Sequence, residues 1–329
     1  MPADIEVSIQ LWPLPMTSDA AREIEKQIAA LESGDPTDAD REEIERLRGQ
    51  LEILRRAPGE SHSGDAWDQV LIARHPSRPY TLDYIQALFA DFEELHGDRR
   101  FGDDAAIVGG LGRLEGRPVM VLGHQKGRDT EQRVKRNFGM PHPEGYRKAL
   151  RLMRLAEKFG LPIISLVDTP AAYPGKGAEE RGQAEAIAYN LKEIPRLRVP
   201  IVVVVHGEGG SGGALAIAVG DRVLMLENAI YSVIPPESCS SILWRDWDHK
   251  QQAARALKLT ARDLLGFGLI DGIVPEPPGG AHTDPAGAAE RLGLAIAASL
   301  RELAGLPTEE LLEQRHRRLR KFATFVEEK

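Results

Sequence analysis

The stretch "VPIVVVVHGEGGSGGALAIAVGD", residues 199–221, passes from an unbroken apolar run through a glycine-rich loop into a run of small apolar residues. A strand apolar on both faces is one that helices cover on both sides. The glycines stand where the backbone turns sharply and comes close to something. A helix is expected from about residue 212, and its first amides have no partner within the helix, so they can donate to a negatively charged oxygen. Gly212 and Gly213 are the candidate donors. Two other readings fit the same residues. Gly209, Ser211 and Gly213 satisfy G-x-S-x-G, the strand-to-helix elbow that presents a nucleophilic serine, and Asp221, Asp246, His249 and His282 follow as possible partners. The loop could also be a tight turn needed only for packing. On this stretch alone all three stay open.

Working outward, the chain alternates strand and helix: a helix at about 145–159, a strand at 162–167, a helix at about 178–193, and the strand at 200–205. Before these, "AAIVGGLGRL" and "RPVMVLGHQ" are joined by Glu115 and Gly116, which predicts a hairpin. "TLDYIQALFADFEEL", residues 81–95, reads as a helix capped by Thr81. Short strands are expected at "RVLML", "AIYSVI" and within "LIDGIVPEP", and two helices in the last 45 residues. The strand "PIISLV" also opens a loop, "DTPAAYPG", leading to a helix, so two consecutive loops share one edge of the sheet, where open α/β folds bind ligands. Ala171 and Ala172 in that loop are small enough for their amides to approach a ligand. Paired loops of backbone donors suit stabilisation of an enolate or similar oxyanion.

The 329 residues suffice for one large domain or two smaller ones, and 42 basic against 50 acidic residues leave a net charge of −8. That balance gives no global reason to expect nucleic-acid or membrane binding. A single cysteine, Cys239, rules out an internal disulfide framework and a multi-thiolate zinc site, and with no secretory or membrane-spanning segment in view a cytoplasmic protein is expected. At the N-terminus, 19–32 and 38–56 place Ile24, Ile28 and Leu31, then Ile44, Leu47, Leu51 and Leu54, at helical spacing. This predicts an N-terminal helical arm over 1–60, a main domain over 61–329, and C-terminal helices from about 284. Residues 126–154 carry nine Lys or Arg against three acids, a local charge of +6. Lys126, Arg128, Arg133 and Arg136 are candidates for holding an anionic ligand or an acidic partner surface.

The strings "ARHPSRPYTLDYI", "IVGGLGRLEGRPVMVLGHQKGR", "NFGMPHPEGYRKALRLM", "DTPAAYPGKGAEERGQAEAIA", "GEGGSGGALAIAVGD" and "YSVIPPESCSSILW" occur in that order over about residues 70–280. In them the chain resembles the carboxyltransferase alpha subunit of bacterial acetyl-CoA carboxylase. The resemblance implies an α/β, crotonase-like (ClpP/crotonase) fold, a β-β-α spiral with helical extensions at both ends. It implies transfer of a carboxyl group from carboxybiotin on the biotin carboxyl carrier protein to acetyl-CoA, giving malonyl-CoA for fatty acid synthesis. Gly212 and Gly213 would then be the oxyanion hole for the biotin enolate. The implied partner is a beta subunit that supplies most of the acyl-CoA side, in an alpha2-beta2 heterotetramer, with no metal in this chain. Two positions depart from the family pattern: Ala171 replaces a glycine of the "DTPGAYPG" loop, and Ser238 stands where glycine is usual.

Overall fold

The computed structural model describes residues 17–33, 40–41, 44, 47–48 and 65–322. The chain divides into two compact units, 1–57 and 58–329. In the first, α1 spans Thr17–Glu32, and residues 40, 41, 44, 47 and 48 are also helical. Arg48 pairs with Glu32 at 2.7 Å. The remainder of the expected 38–56 helix, with Leu51 and Leu54, and the side chain of Ile24 lie outside the described residues.

The second unit is an eight-stranded mixed sheet with helices packed on it. Its elements begin with α2 (Ala66–Ala73), α3 (Thr81–Leu88), β1 (Ala90–Glu94), β2 (Ile107–Leu114), β3 (Arg117–His124), α4 (Thr130–Lys135), α5 (Pro143–Lys158) and β4 (Ile163–Thr169). There follow α6 (Lys176–Glu180), α7 (Gln183–Glu193), β5 (Ile201–Gly210), α8 (Ser211–Leu215), β6 (Arg222–Leu226), β7 (Ile230–Ser232) and α9 (Pro236–Trp244). The chain closes with α10 (Lys250–Leu257), α11 (Ala261–Gly266), β8 (Gly272–Val274), α12 (Pro285–Ala304) and α13 (Thr308–Arg320). The strand order is β1-β2-β3-β4-β5-β6-β8, and β7 pairs with β5. The first three strands run antiparallel and the rest parallel.

The hairpin forms as its turn residues dictate. Glu115 and Gly116 have φ of 49° and 77°, the two positive values that match a two-residue connection to the strand twist. Strands β4 and β5 are buried on both faces, and α5 covers the sheet with Ala149, Leu152, Met153 and Ala156. Leu152 is packed so closely that a methyl on Gly109 would stand 2.8 Å from it.

Three helices differ from expectation. The helix from residue 81 ends at Leu88, because Phe89 turns extended and 90–94 pair along β2 as an edge strand, with a register shift after Ala90. Pairing with a neighbour outweighs the helical periodicity there. Thr81 is no cap: Asp83 accepts from the Tyr80 amide at 2.6 Å, while the Thr81 hydroxyl donates to the His124 carbonyl. The helix expected over 178–193 is two, broken at Gly182, whose φ is 83°. The helix expected from 212 is only five residues long, because β5 runs on through the glycines to Gly210.

That extension decides the site. Val202–Val205 of β5 pair with β6, and Glu208–Gly210 pair instead with β7. Along β4 the register jumps from Val167 opposite Val205 to Thr169 opposite Gly209, so β5 carries two extra residues there. The Asp168 carboxylate accepts from the Glu208 amide at 2.8 Å and holds the bulge. Gly207 is required at this point, since a Cβ would lie 2.2 Å from Asp168 Oδ1.

Candidate active site

The two loops of the sheet edge meet backbone against backbone. A Cβ on Gly210 would stand 1.8 Å from the Pro170 carbonyl oxygen, and one on Gly213 would stand 2.4 Å from both Ala171 C and Ala172 N. Glycine at 210 and 213 is therefore what lets the "DTPAAYPG" loop lie directly on the glycine strand. Gly212 differs: a Cβ there would meet only Ile187, at 3.8 Å. Among the described residues the amides of Gly212, Gly213 and Ala172 donate to no group of this chain, whereas the Ala171 amide is 3.3 Å from the Thr169 hydroxyl. Gly212 and Ala172 are half-buried. The structure thus brings Gly212, Gly213, Ala171 and Ala172 together. Ala171 does not have positive φ, so its methyl is accommodated where the resembling family has glycine.

Ser211 has a φ of 50°, the sharp geometry an elbow requires. Its hydroxyl nevertheless has no hydrogen-bonded histidine among the described residues, and the downstream candidates are engaged elsewhere. His249 lies 2.8 Å from Asp246, His282 stacks on His75, and Asp221 is bound by Arg315. Among the described residues the nucleophile reading has no base.

Beneath the loops lies a buried ionic network that the sequence reading did not single out. Lys126 Nζ is 2.8 Å from both Asp168 and Glu208. Arg74 donates from Nε to Glu208 at 2.6 Å and from Nη1 to Glu237 at the start of α9. Arg78 binds both oxygens of Glu276 and donates to the His206 carbonyl at 2.8 Å. Burial works against the Lys126 and Arg74 charges, but Asp168 and Glu208 for the lysine, and Glu208 and Glu237 for the arginine, outweigh it and hold both protonated. Burial pushes His124 down to about 3 and His206 to about 4, so both are neutral, although Asp168 pulls each the other way. The available signal was ionisable residues, His124, Asp168, His206 and Glu208, at the ends of otherwise apolar strands.

The basic candidates all have partners inside the chain. Lys126 belongs to the network. Arg128 binds Asp83 and the Pro76 carbonyl and lies over the Tyr80 ring. Arg133 is buried with Nε 3.4 Å from the Gly127 carbonyl oxygen, and Arg136 donates to the Ala105 carbonyl at 2.7 Å. Among the described residues no group of His, Cys, Asp and Glu is arranged to hold a metal ion, and no helix is long and apolar enough to cross a membrane.

The family model for "acetyl co-enzyme A carboxylase carboxyltransferase-like" proteins matches residues 17–323. The chain is 63% identical over 261 residues, 79% of its length and 82% of the relative's, to an acetyl-coenzyme A carboxylase carboxyl transferase subunit alpha of Geobacter sulfurreducens. It is 54% identical to the protein of that name from Thioalkalivibrio sulfidiphilus, over 93% of this chain and 98% of the relative. Among solved structures it is similar to transcarboxylase 12S, with a TM-score of 0.56 at 20% identity over 68% of this chain and 42% of that one. A Pseudomonas malonate decarboxylase hetero-dimer gives a TM-score of 0.56 at 19% identity over 73% and 98%. These likenesses bear out the crotonase-like fold.

Proposed function

Because the chain belongs to the family of acetyl-CoA carboxylase carboxyltransferase alpha subunits, we propose that the amides of Gly212 and Gly213 form its oxyanion hole for the ureido oxygen of biotin. Membership makes the chain a transferase subunit of acetyl-CoA carboxylase. The single observation that carries the finer reading is that these two amides donate to nothing in the chain while Gly213 is clamped by the Ala171–Ala172 backbone. Biotin on a carrier protein would supply the carboxyl group when bound, with the amides of Gly212 and Gly213 placed to hold its ureido oxygen.

The residues of this chain do the rest by position. Two fixed N–H groups aimed at one oxygen stabilise charge that develops there, at no reorganisation cost, by about 2.7–4 kcal/mol for each donor. The Ala172 amide stands ready as a further donor from the facing loop. Lys126 and Arg74 hold Glu208, two residues before Gly210, and so fix the end of β5 from which both glycines hang. No side-chain nucleophile is needed. The carbonyl of acetyl-CoA is received on a beta subunit, and Val233, just past β7, with Ile242 and Leu243 on α9, 75%, 70% and 63% exposed, give that partner an apolar surface beside the glycine strand. The assembly is an alpha2-beta2 heterotetramer.

The test is malonyl-CoA-dependent carboxylation of free biotin by the complex. Gly213→Ala keeps the amide but drives a methyl into the facing backbone and so displaces that donor; it is expected to lower kcat by about 10²–10³, as large as the loss of one oxyanion donor. Ser211→Ala is expected to change it by less than about threefold. A Ser211→Ala enzyme as dead as Gly213→Ala would return the reaction to the serine.

A further inference from the structure

We propose that the cavity between α5 and α7, roofed by the loop at 97–102, is a binding site for an anion with two or more linked phosphoryl groups. The cavity has a volume of about 310 Å³ and is lined by Arg99, Arg100, Arg147, Arg151 and Arg154 against two acids, Asp98 and Glu185. Arg147, Arg151 and Arg154 sit at i, i+4 and i+7 on α5, a stripe about 10 Å long at the helical rise. This is the half of the basic segment that neither the glycine loop nor the ionic network uses.

Among the described residues Arg99, Arg100 and Arg151 make no ion pair, so three of the five charges are unneutralised at close range. Arg151 Nε donates to the Gly97 carbonyl at 2.9 Å and Arg99 to the His96 carbonyl at 2.7 Å, and a carbonyl cancels no charge. The two guanidiniums lie close enough that, after burial, Arg99 is the main influence disfavouring the Arg151 charge. Arg147 donates from Nη2 to the Arg181 carbonyl at 2.6 Å, while its Nε is buried without a partner. Arg147 has Glu185 at 3.6 Å and Glu144 at 4.0 Å, and Arg154 pairs with Glu193 at 2.8 Å. Asp98 turns one oxygen to the amides of Arg100, Phe101 and Gly102, at 2.9, 2.9 and 3.0 Å, and so holds the loop that brings Arg99 and Arg100 over the cavity. Like charges gathered around a concavity repel until an anion enters. Guanidinium forks spaced along 10 Å suit the paired oxygens of an extended phosphate chain better than one carboxylate.

The site is separate from the glycine loop but mechanically close to it. Asn190 of α7 lines the cavity and donates to the Tyr146 and Ala216 carbonyls at 3.0 and 3.2 Å, the latter just past α8. Ile187, on the same helix, faces Gly212.

Equilibrium dialysis of the full chain against radiolabelled inorganic pyrophosphate tests the proposal, with ADP and coenzyme A as competitors. Saturable binding at one site per chain is expected, weakened about tenfold by Arg151→Gln and at least as much by the double change Arg100→Ala with Arg154→Ala, as loss of charged hydrogen bonds implies. Arg100 and Arg154 are exposed, so that double variant keeps the fold. Arg317→Ala, on the exposed face of α13, is expected to leave binding unchanged. Displacement by coenzyme A would assign the site to the phosphorylated end of an acyl-CoA. Displacement by ADP alone would assign it to a free nucleotide. Absence of saturable binding, or binding that the arginine variants do not weaken, would overturn the proposal.

Discussion

Gly212 and Gly213 are adjacent and chemically identical, yet the fold asks different things of them. At 213 any side chain meets backbone 2.4 Å away, whereas at 212 a methyl finds ordinary contact with Ile187. Gly212→Ala is therefore expected to leave thermal stability within about 0.5 kcal/mol of the wild type, with kcat changed far less than by Gly213→Ala. A thermal melt and the biotin carboxylation assay on both variants check the contrast. Two buried imidazoles make a second prediction. His124 and His206 titrate at about 3 and about 4, below the ordinary 6.5. The unfolded chain thus binds more protons than the folded one between those values, and their contribution is complete above pH 6.5 and lost as pH falls towards 4. Unfolding free energies from urea titrations are expected to fall by about 1.4 kcal/mol per imidazole for each unit that the pH is lowered across this window. His206→Gln removes one proton's share of the slope. Of these residues the glycines were legible as a place where the backbone turns sharply or comes close to something, though the sequence does not say which of them packs against backbone. The histidines were not, since nothing in an apolar strand says which polar side chain will meet another across the sheet.

At the scale of elements, β4 and β5 were recognisable from their unbroken apolar runs, and the hairpin from Glu115 and Gly116. What escaped the sequence were events set by neighbours: the edge strand 90–94, the break at Gly182, and the continuation of β5 through its glycines. Each depends on a partner strand or a packed loop, and local periodicity carries no information about either. The bulge at Asp168 is the most consequential. Lys126 neutralises Asp168 and Glu208 across it, so Lys126→Met leaves two buried carboxylates without that cation. The change is expected to destabilise the fold by about 3–5 kcal/mol, read as a fall in the urea midpoint, and to lower kcat in any fraction that folds. A variant as stable as wild type would show that the lysine does not hold the strand end.

For the whole molecule, the last helix is tied to the main domain by a buried arginine as well as by Leu311. Arg315 of α13 binds both oxygens of Asp221 at 2.7 Å and donates to the Leu197 and Val199 carbonyls at 2.6 and 2.8 Å. The sequence shows only a basic run, "RHRRLRKF", in which nothing marks Arg315 from its exposed neighbours Arg317 and Arg320. Arg315→Ala leaves Asp221 buried without its cation, and is expected to cost about 3–5 kcal/mol in urea unfolding, against less than about 0.5 kcal/mol for Arg317→Ala. On the proposed function the glycine loop supplies donors for one oxygen and a partner carries the acyl-CoA side, so the reaction needs two kinds of chain. The most direct measurement is malonyl-CoA-dependent carboxylation of biotin by this chain alone, by a beta subunit alone, and by the two mixed. Activity in the mixture only, abolished by Gly213→Ala and retained by Ser211→Ala, is the predicted result; turnover by this chain alone, or a mixture that assembles and remains inactive, would contradict it.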